Sequence, residues 1–240
     1  MKLSLSWIKD FVNIPEDMDM KQLAYDLTMD TVEVEDVEYL ADRFDHMVVG
    51  VIEDIEPHPN ADKLRVCKVD IGDGEIKDIV CGGINLEKGM RVAVSCPGAI
   101  VRWHGEGEPV EIKKSKLRGV ASYGMICASD EIGLGDLFPA SQEAEILDLS
   151  AFEVPAGTTL VDALDLNDVL LEIDNKSMTN RPDLWGHYGI AREIAALYNL
   201  PLAEIKPFET DVQSDFNVEI DDPDRCPRYI GVEMSGVNVK

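Results

Sequence analysis

The chain has 240 residues, 45% of them hydrophobic, and sets 22 Lys and Arg against 47 Asp and Glu for a formal net charge of −25. Such a length buries a sizeable core and admits one or two domains, while no apolar run nears the roughly 18 residues that cross a bilayer. So acidic a total excludes a surface coated in positive charge for nucleic acid. Eleven of the 22 cations nevertheless fall in residues 46–150, beside 18 acids, so an anion-binding face has to be a local patch on an acidic body.

The amino-terminal stretch has too short an apolar run before Asp10 to be a signal peptide. Leu5, Ile8, Phe11 and Val12 recur at helical spacing, and Pro15 ends that helix. Asp19 followed by Gln22 has the form of a capping box opening a second helix, with Leu23, Ala24 and Leu27 on its buried side. Residues 31–40 then alternate, with Val32, Val34 and Val37 among acids, as a strand with one wet face does.

From residue 46 the period changes to two. Residues 47–55, 64–71, 76–81, 91–96 and 123–128 are short strand candidates, separated by Gly72-Asp73-Gly74, Gly82-Gly83, Lys88-Gly89 and Pro97-Gly98 turns. Five short strands in about 100 residues predict a small closed barrel of the OB type, whose strand face and loops commonly bind oligonucleotides. Helical spacing returns after Phe152. Thr158-Thr159 opens a short helix, residues 169–173 read as a strand, and Ile190, Ala191, Ile194 and Leu197 stripe a last helix that begins near Pro182 and stops before Pro201. The expected fold class is therefore α+β and multi-domain. Residues 1–40 and 152–200 form one discontinuous α/β domain, residues 41–151 form a five-stranded OB barrel inserted into it, and 201–240 form a linker and the start of a further domain.

Five cysteines stand at 67, 81, 96, 127 and 226 with no C-x-x-C pair. Metal-site spacing is absent, and for the four that fall in apolar strand-like runs reduced core thiols are the expectation, in a cytoplasmic setting. No catalytic constellation stands out. There is no G-x-S-x-G, no H-E-x-x-H and no glycine-rich nucleotide fingerprint.

Three stretches carry binding chemistry. The turn His58-Pro59-Asn60-Ala61-Asp62 delivers Lys63 and Arg65 to the start of a strand, where they can meet phosphates; a plain polar turn is the alternative. In Cys81-Gly82-Gly83-Ile84-Asn85 the glycines allow a tight turn, which leaves the Asn85 amide to bond a base or ribose. Lys113, Lys114, Lys116 and Arg118 are the densest basic cluster and run directly into Ser122-Tyr123-Gly124-Met125. There the small residues admit a nucleic-acid backbone, and Tyr123 or Met125 packs on a base. A solvated strand edge protected by lysines is the other reading.

HPNADKL, IVCGGIN and KSKLRGVASYGMICASDEIGL, in that order and spacing, resemble the tRNA-binding OB-fold module of several synthetases and free-standing tRNA-binding proteins. The flanks MKLSLSWIKDFVNIP and EIDNKSMTNRPDLWGHYGIAREIAALYNLPL are similar to the amino-terminal region of the bacterial phenylalanyl-tRNA synthetase β-subunit family. That resemblance implies an α/β domain split by the OB insert, followed by an editing domain whose first strand DPDRCPRYIG resembles. It also implies tRNA contact by Lys63, Arg65, Asn85, Lys113, Lys114, Lys116, Arg118, Ser122 and Met125. ATP and magnesium are implied for the full enzyme, and an α subunit in a tetramer of two α and two β chains. No catalytic residue and no metal site is expected in these 240 residues. An acidic scaffold that docks the α subunit, or a free-standing tRNA-binding protein, are the competing functions.

Overall fold

The computed structural model describes residues 1–206 and 217–237. In chain order the strands are β1 (Lys2–Ser4), β2 (Val34–Tyr39), β3 (Met47–Pro57), β4 (Arg65–Asp70), β5 (Ile76–Cys81) and β6 (Arg91–Ser95), then β7 (Ile100–Val101), β8 (Val110–Glu111), β9 (Ser115–Leu117), β10 (Val120–Ser122), β11 (Met125–Ile126) and β12 (Val169–Ile173). The helices are α1 (Leu5–Lys9), α2 (Met20–Asp30), α3 (Leu160–Ala163) and α4 (His187–Leu197). No helix among the described residues is long and apolar enough to cross a membrane. The chain divides into two compact units, Met1–Ala203 and Glu204–Lys240.

In the first unit, β1, β12 and β2 form a three-stranded antiparallel sheet in that order, with Leu3 and Val37 flanking Leu171. Its apolar face packs on α1, α2 and α4 through Leu5, Ile8, Leu23, Leu27, Ile190 and Ile194, all buried. Leu171 is fully buried in that cluster, so truncating it to Ala costs about 2–5 kcal/mol. Helix α1 is shorter than its apolar spacing predicts. Ser4 caps it by accepting from the Trp7 N–H (3.1 Å), and it ends at Lys9, leaving Phe11 and Val12 in the loop beyond. Asp19 caps α2 through the Lys21 N–H (2.9 Å), but Gln22 does not close a capping box; its amide donates to Asp26 instead (2.7 Å).

The five-stranded antiparallel sheet runs β11–β6–β3–β4–β5, and each of the five expected strands is present. The sheet curls until its edges meet. There the Tyr123 N–H donates to the Asp78 carbonyl (2.8 Å) and the Val80 N–H donates to Ser122 Oγ (3.0 Å). Ile52, Cys67, Val69, Ile79, Val92, Val94 and Ile126 fill one cluster, while Met47, Val49, Ala93 and Cys127 join a second with Leu147, Leu149 and Leu160. Strand β6 and residues 47–52 of β3 are thus covered on both faces, which explains why 91–96 reads as an almost unbroken apolar run.

The sequence reading sets the return to the host domain at residue 152, and the structure differs. The Val49 N–H donates to the Thr158 carbonyl and the Gly157 N–H to the Val49 carbonyl, both 2.8 Å, and Leu160 packs beside Val49. Residues 157–160 therefore cover the outside of the barrel before β12 rejoins the host sheet. The turn at Pro182 is a single 3-10 turn, and α4 proper starts at His187. In the second unit, the DPDRCPRYIG stretch forms no strand among the described residues, since no neighbouring strand pairs with it. The expectations for residues 207–216 lie outside the described residues.

Candidate nucleic-acid interface

The loop after β3 and the β9–β10 hairpin are distant in sequence but tied together. His58 is buried, 5% exposed. Its Nδ1 accepts from the Asn60 N–H (3.1 Å), which leaves Nε2 as the protonated nitrogen donating to the Leu117 carbonyl (3.1 Å). Asn60 Nδ2 donates to the Arg118 carbonyl (2.9 Å). Two side chains of the HPNADKL turn thereby hold the hairpin by the last carbonyl of β9 and the first of the bend, and bring the loop bearing Lys63 alongside Arg118.

Arg118 and Gly119 form a two-residue bend between paired Leu117 and Val120, with φ of 46° and 94°. Positive φ at both positions is the type I′ requirement that normally selects Asn, Asp or Gly. An arginine at the first position is an unfavourable local choice, and such choices concentrate where the side chain has a task. Here it places a guanidinium-bearing residue at the hairpin tip.

Two predicted contacts are corrected. Ser122 is 2% exposed, so it cannot meet RNA; its hydroxyl accepts from Val80 N–H and donates to the Gly124 carbonyl (2.9 Å), closing the barrel. Gly124 itself must lack a side chain, because a Cβ would lie 2.4 Å from the Ser95 carbonyl oxygen. The Asn85 amide is not free either. It donates to the Ile146 carbonyl and accepts from the Ile146 N–H, both 2.9 Å, like a rung of strand pairing. Met125 is half-buried in β11 and packs on the barrel's second cluster.

The remaining predicted residues are exposed cations, and their pairing separates them. Lys113 is matched by Glu111 (2.9 Å). Lys68 and Lys77 on the adjoining strands are matched by Asp78 (2.9 Å) and by Asp73 and Glu75 (both 2.7 Å). Asp73 and Glu75 hold the Lys77 ammonium well above the usual lysine range by accepting its hydrogen bonds. Among the described residues, Lys63, Lys114, Lys116 and Arg118 have no carboxylate at ion-pair distance, and the Arg65 guanidinium donates to the carbonyls of Asp62 and Leu64, both 3.1 Å. Five uncompensated cations thus lie on a loop, a strand start and a hairpin that meet, on a chain whose other charges are mostly negative.

Three of the barrel thiols are core groups. Burial raises Cys67 and Cys127 to about 12 and Cys81 to about 11. Among the described residues no group of three or more His, Cys, Asp or Glu side chains is placed to hold a metal ion.

Residues 47–158 match the family model described as "Putative tRNA binding domain". The full chain aligns with curated proteins named Phenylalanine--tRNA ligase beta subunit from Pectobacterium atrosepticum, Cupriavidus pinatubonensis and Fusobacterium nucleatum, at 40%, 38% and 36% identity. Over its whole length the chain is homologous to phenylalanine--tRNA ligase beta subunits. It spans 29% of the length of those relatives. Within this homology the barrel is the segment that the tRNA-binding family model covers, and the cationic loop and hairpin both lie inside residues 47–158.

The latch went unnoticed in the sequence. His58 and Asn60 read there as turn residues supporting Lys63, and the signal that would reveal their role is a carbonyl partner 58 or 59 positions away.

Proposed function

We propose that this chain is the tRNA-binding part of a phenylalanine--tRNA ligase beta subunit, and that it contacts the RNA backbone with the ledge formed by Lys63, Arg65, Lys114, Lys116 and Arg118. The observation that carries the reading is that, among the described residues, those five have no carboxylate partner, while nearby Lys68, Lys77 and Lys113 are all neutralised. Desolvating a paired cation gains little, whereas an unpaired one releases counterions when it meets a phosphate. With few contacts on an acidic body, affinity belongs in the weak, salt-sensitive range of about 10⁻⁴–10⁻⁶ M. An α subunit as partner in a tetramer of two α and two β chains, ATP and magnesium in the complete enzyme, and a cytoplasmic location belong to the same proposal, supported by the homology. No catalytic step is assigned to these residues.

Mobility-shift titration with tRNA at low salt tests it. A complex that dissolves as salt rises supports the reading, and no complex at any salt refutes it.

One observation favours a second reading, in which an acidic scaffold docks the α subunit. Trp7 and Trp185 are 55% and 54% exposed, and Trp7 stacks on His187 at 4.1 Å between ring centroids. Exposed indoles are frequent anchors of protein interfaces. Pull-down of α subunit without measurable tRNA binding would favour that reading. A free-standing tRNA binder is disfavoured by the homology of the flanks to the same long relatives.

A further inference from the structure

A groove of about 470 Å³ lies between β5 and the β9–β10 hairpin, lined in part by Ile76, Lys77, Asp78, Lys114, Lys116 and Tyr123. That volume suits a single nucleotide. Tyr123 is half-buried and packs against the cluster inside the barrel, and two ammonium groups lie over its ring. Lys77 Nζ is 5.2 Å and Lys114 Nζ 5.0 Å from the ring centroid.

The two lysines are not equivalent. Lys77 is gripped by Asp73 and Glu75, and its side chain is only 11% exposed, so it is a fixed, neutralised part of the wall. Lys114 is exposed and has no carboxylate partner among the described residues. Its ammonium can leave the ring for an incoming phosphate, and the vacated aromatic surface can then accept a base. The Tyr123 backbone is fixed meanwhile, because its N–H is spent on Asp78 and its neighbour Ser122 closes the barrel.

We propose that this groove takes one unpaired nucleotide, with its base stacked on Tyr123 and its phosphate met by Lys114 and Lys116. The ligand class is therefore single-stranded RNA, an end or a loop, rather than the side of a duplex. In an A-form helix the base faces are covered by their neighbours and cannot reach an aromatic shelf. The proposal rests on the RNA reading above and specifies which part of an RNA occupies the ledge.

The test uses the 240-residue chain with an RNA hairpin carrying a short single-stranded 3′ extension that contains 2-aminopurine, and the same hairpin with a blunt end. Stacking on Tyr123 quenches the aminopurine, and the extended hairpin binds more tightly than the blunt one. Tyr123→Leu keeps an apolar side chain against the barrel cluster and should lower affinity for the extended hairpin by at least about fivefold, the small end of base–aromatic stacking. Tyr123→Phe should retain it, and Lys114→Ala, on an exposed residue, should weaken it without loss of fold. Equal affinity for both hairpins, or wild-type affinity in Tyr123→Leu, overturns the nucleotide shelf while the backbone-binding reading stands. Failure of the unmodified chain to bind either hairpin overturns both.

Discussion

Replacing Lys116 and Arg118 together by Ala gives the sharpest test of the ledge, because its effect can be worked out before it is measured. Among the described residues, five cations on the loop, strand start and hairpin lack carboxylate partners. If each meets a phosphate, log K falls against log salt with a slope of about −3.5 to −4.5, taking roughly 0.7–0.9 per contact. Raising salt fourfold then weakens binding by roughly 130- to 500-fold. With two contacts removed, the slope becomes about −2.1 to −2.7 and the same rise in salt weakens binding by only about 20- to 40-fold. Fluorescence-anisotropy titration of labelled tRNA at a series of salt concentrations reads both slopes. Lys113→Ala is the internal control, since Glu111 already neutralises that ammonium at 2.9 Å and its removal should leave the slope unchanged. A slope that is the same in the double variant and the unmodified chain would refute the ledge. So would a Lys113 variant that matches the double variant.

Asn60→Ala removes no charge but frees the Arg118 carbonyl that its amide holds at 2.9 Å. Stability should fall by about 1 kcal/mol in urea denaturation, with weaker tRNA binding, and unchanged affinity would show that the latch does not position the hairpin. Ser122→Ala leaves the buried Val80 N–H without its acceptor, at a cost of about 1–3 kcal/mol, and should not alter RNA affinity where the fold persists. The opposite pattern, full stability with lost affinity, would restore Ser122 as an RNA contact. The Asp183 carboxyl is held down to about 2, chiefly by hydrogen bonding from Arg181, against 3.8 ordinarily. Its folded pKa lies below its unfolded one. The contribution is therefore full above about pH 4 and is lost as pH falls toward 2. Asp183→Asn should flatten that acid limb of the urea midpoint, and an unaltered limb would discount the pair.

How much of the site was legible follows from the range of each interaction. The exposed cations could be found by counting, since a run of Lys and Arg in an acidic chain stands out without coordinates. Which of them are free could not be found that way: Lys113 and Lys114 are neighbours in sequence, yet Glu111 neutralises one and the other lies against Tyr123. Ser122 and Asn85 were misread for the same reason. A small polar residue looks available until a partner from another strand, Val80 for one and Ile146 for the other, takes its hydrogen-bonding capacity.

The sequence alone settled the local periods, and with them the five barrel strands, the α2 cap at Asp19 and the stripe of α4, because alternation and helical spacing are set by neighbours within a few residues. It also carried the ordered motifs and flanks in which the family resemblance was read. Tertiary structure alone decided where α1 stops, that residues 157–160 cover the barrel rather than the host sheet, and that His58 and Asn60 fasten the hairpin. Those outcomes depend on closure of the sheet. Only when β5 and β11 meet around a common interior do groups tens of residues apart come within hydrogen-bond reach, and no short-range pattern encodes that distance.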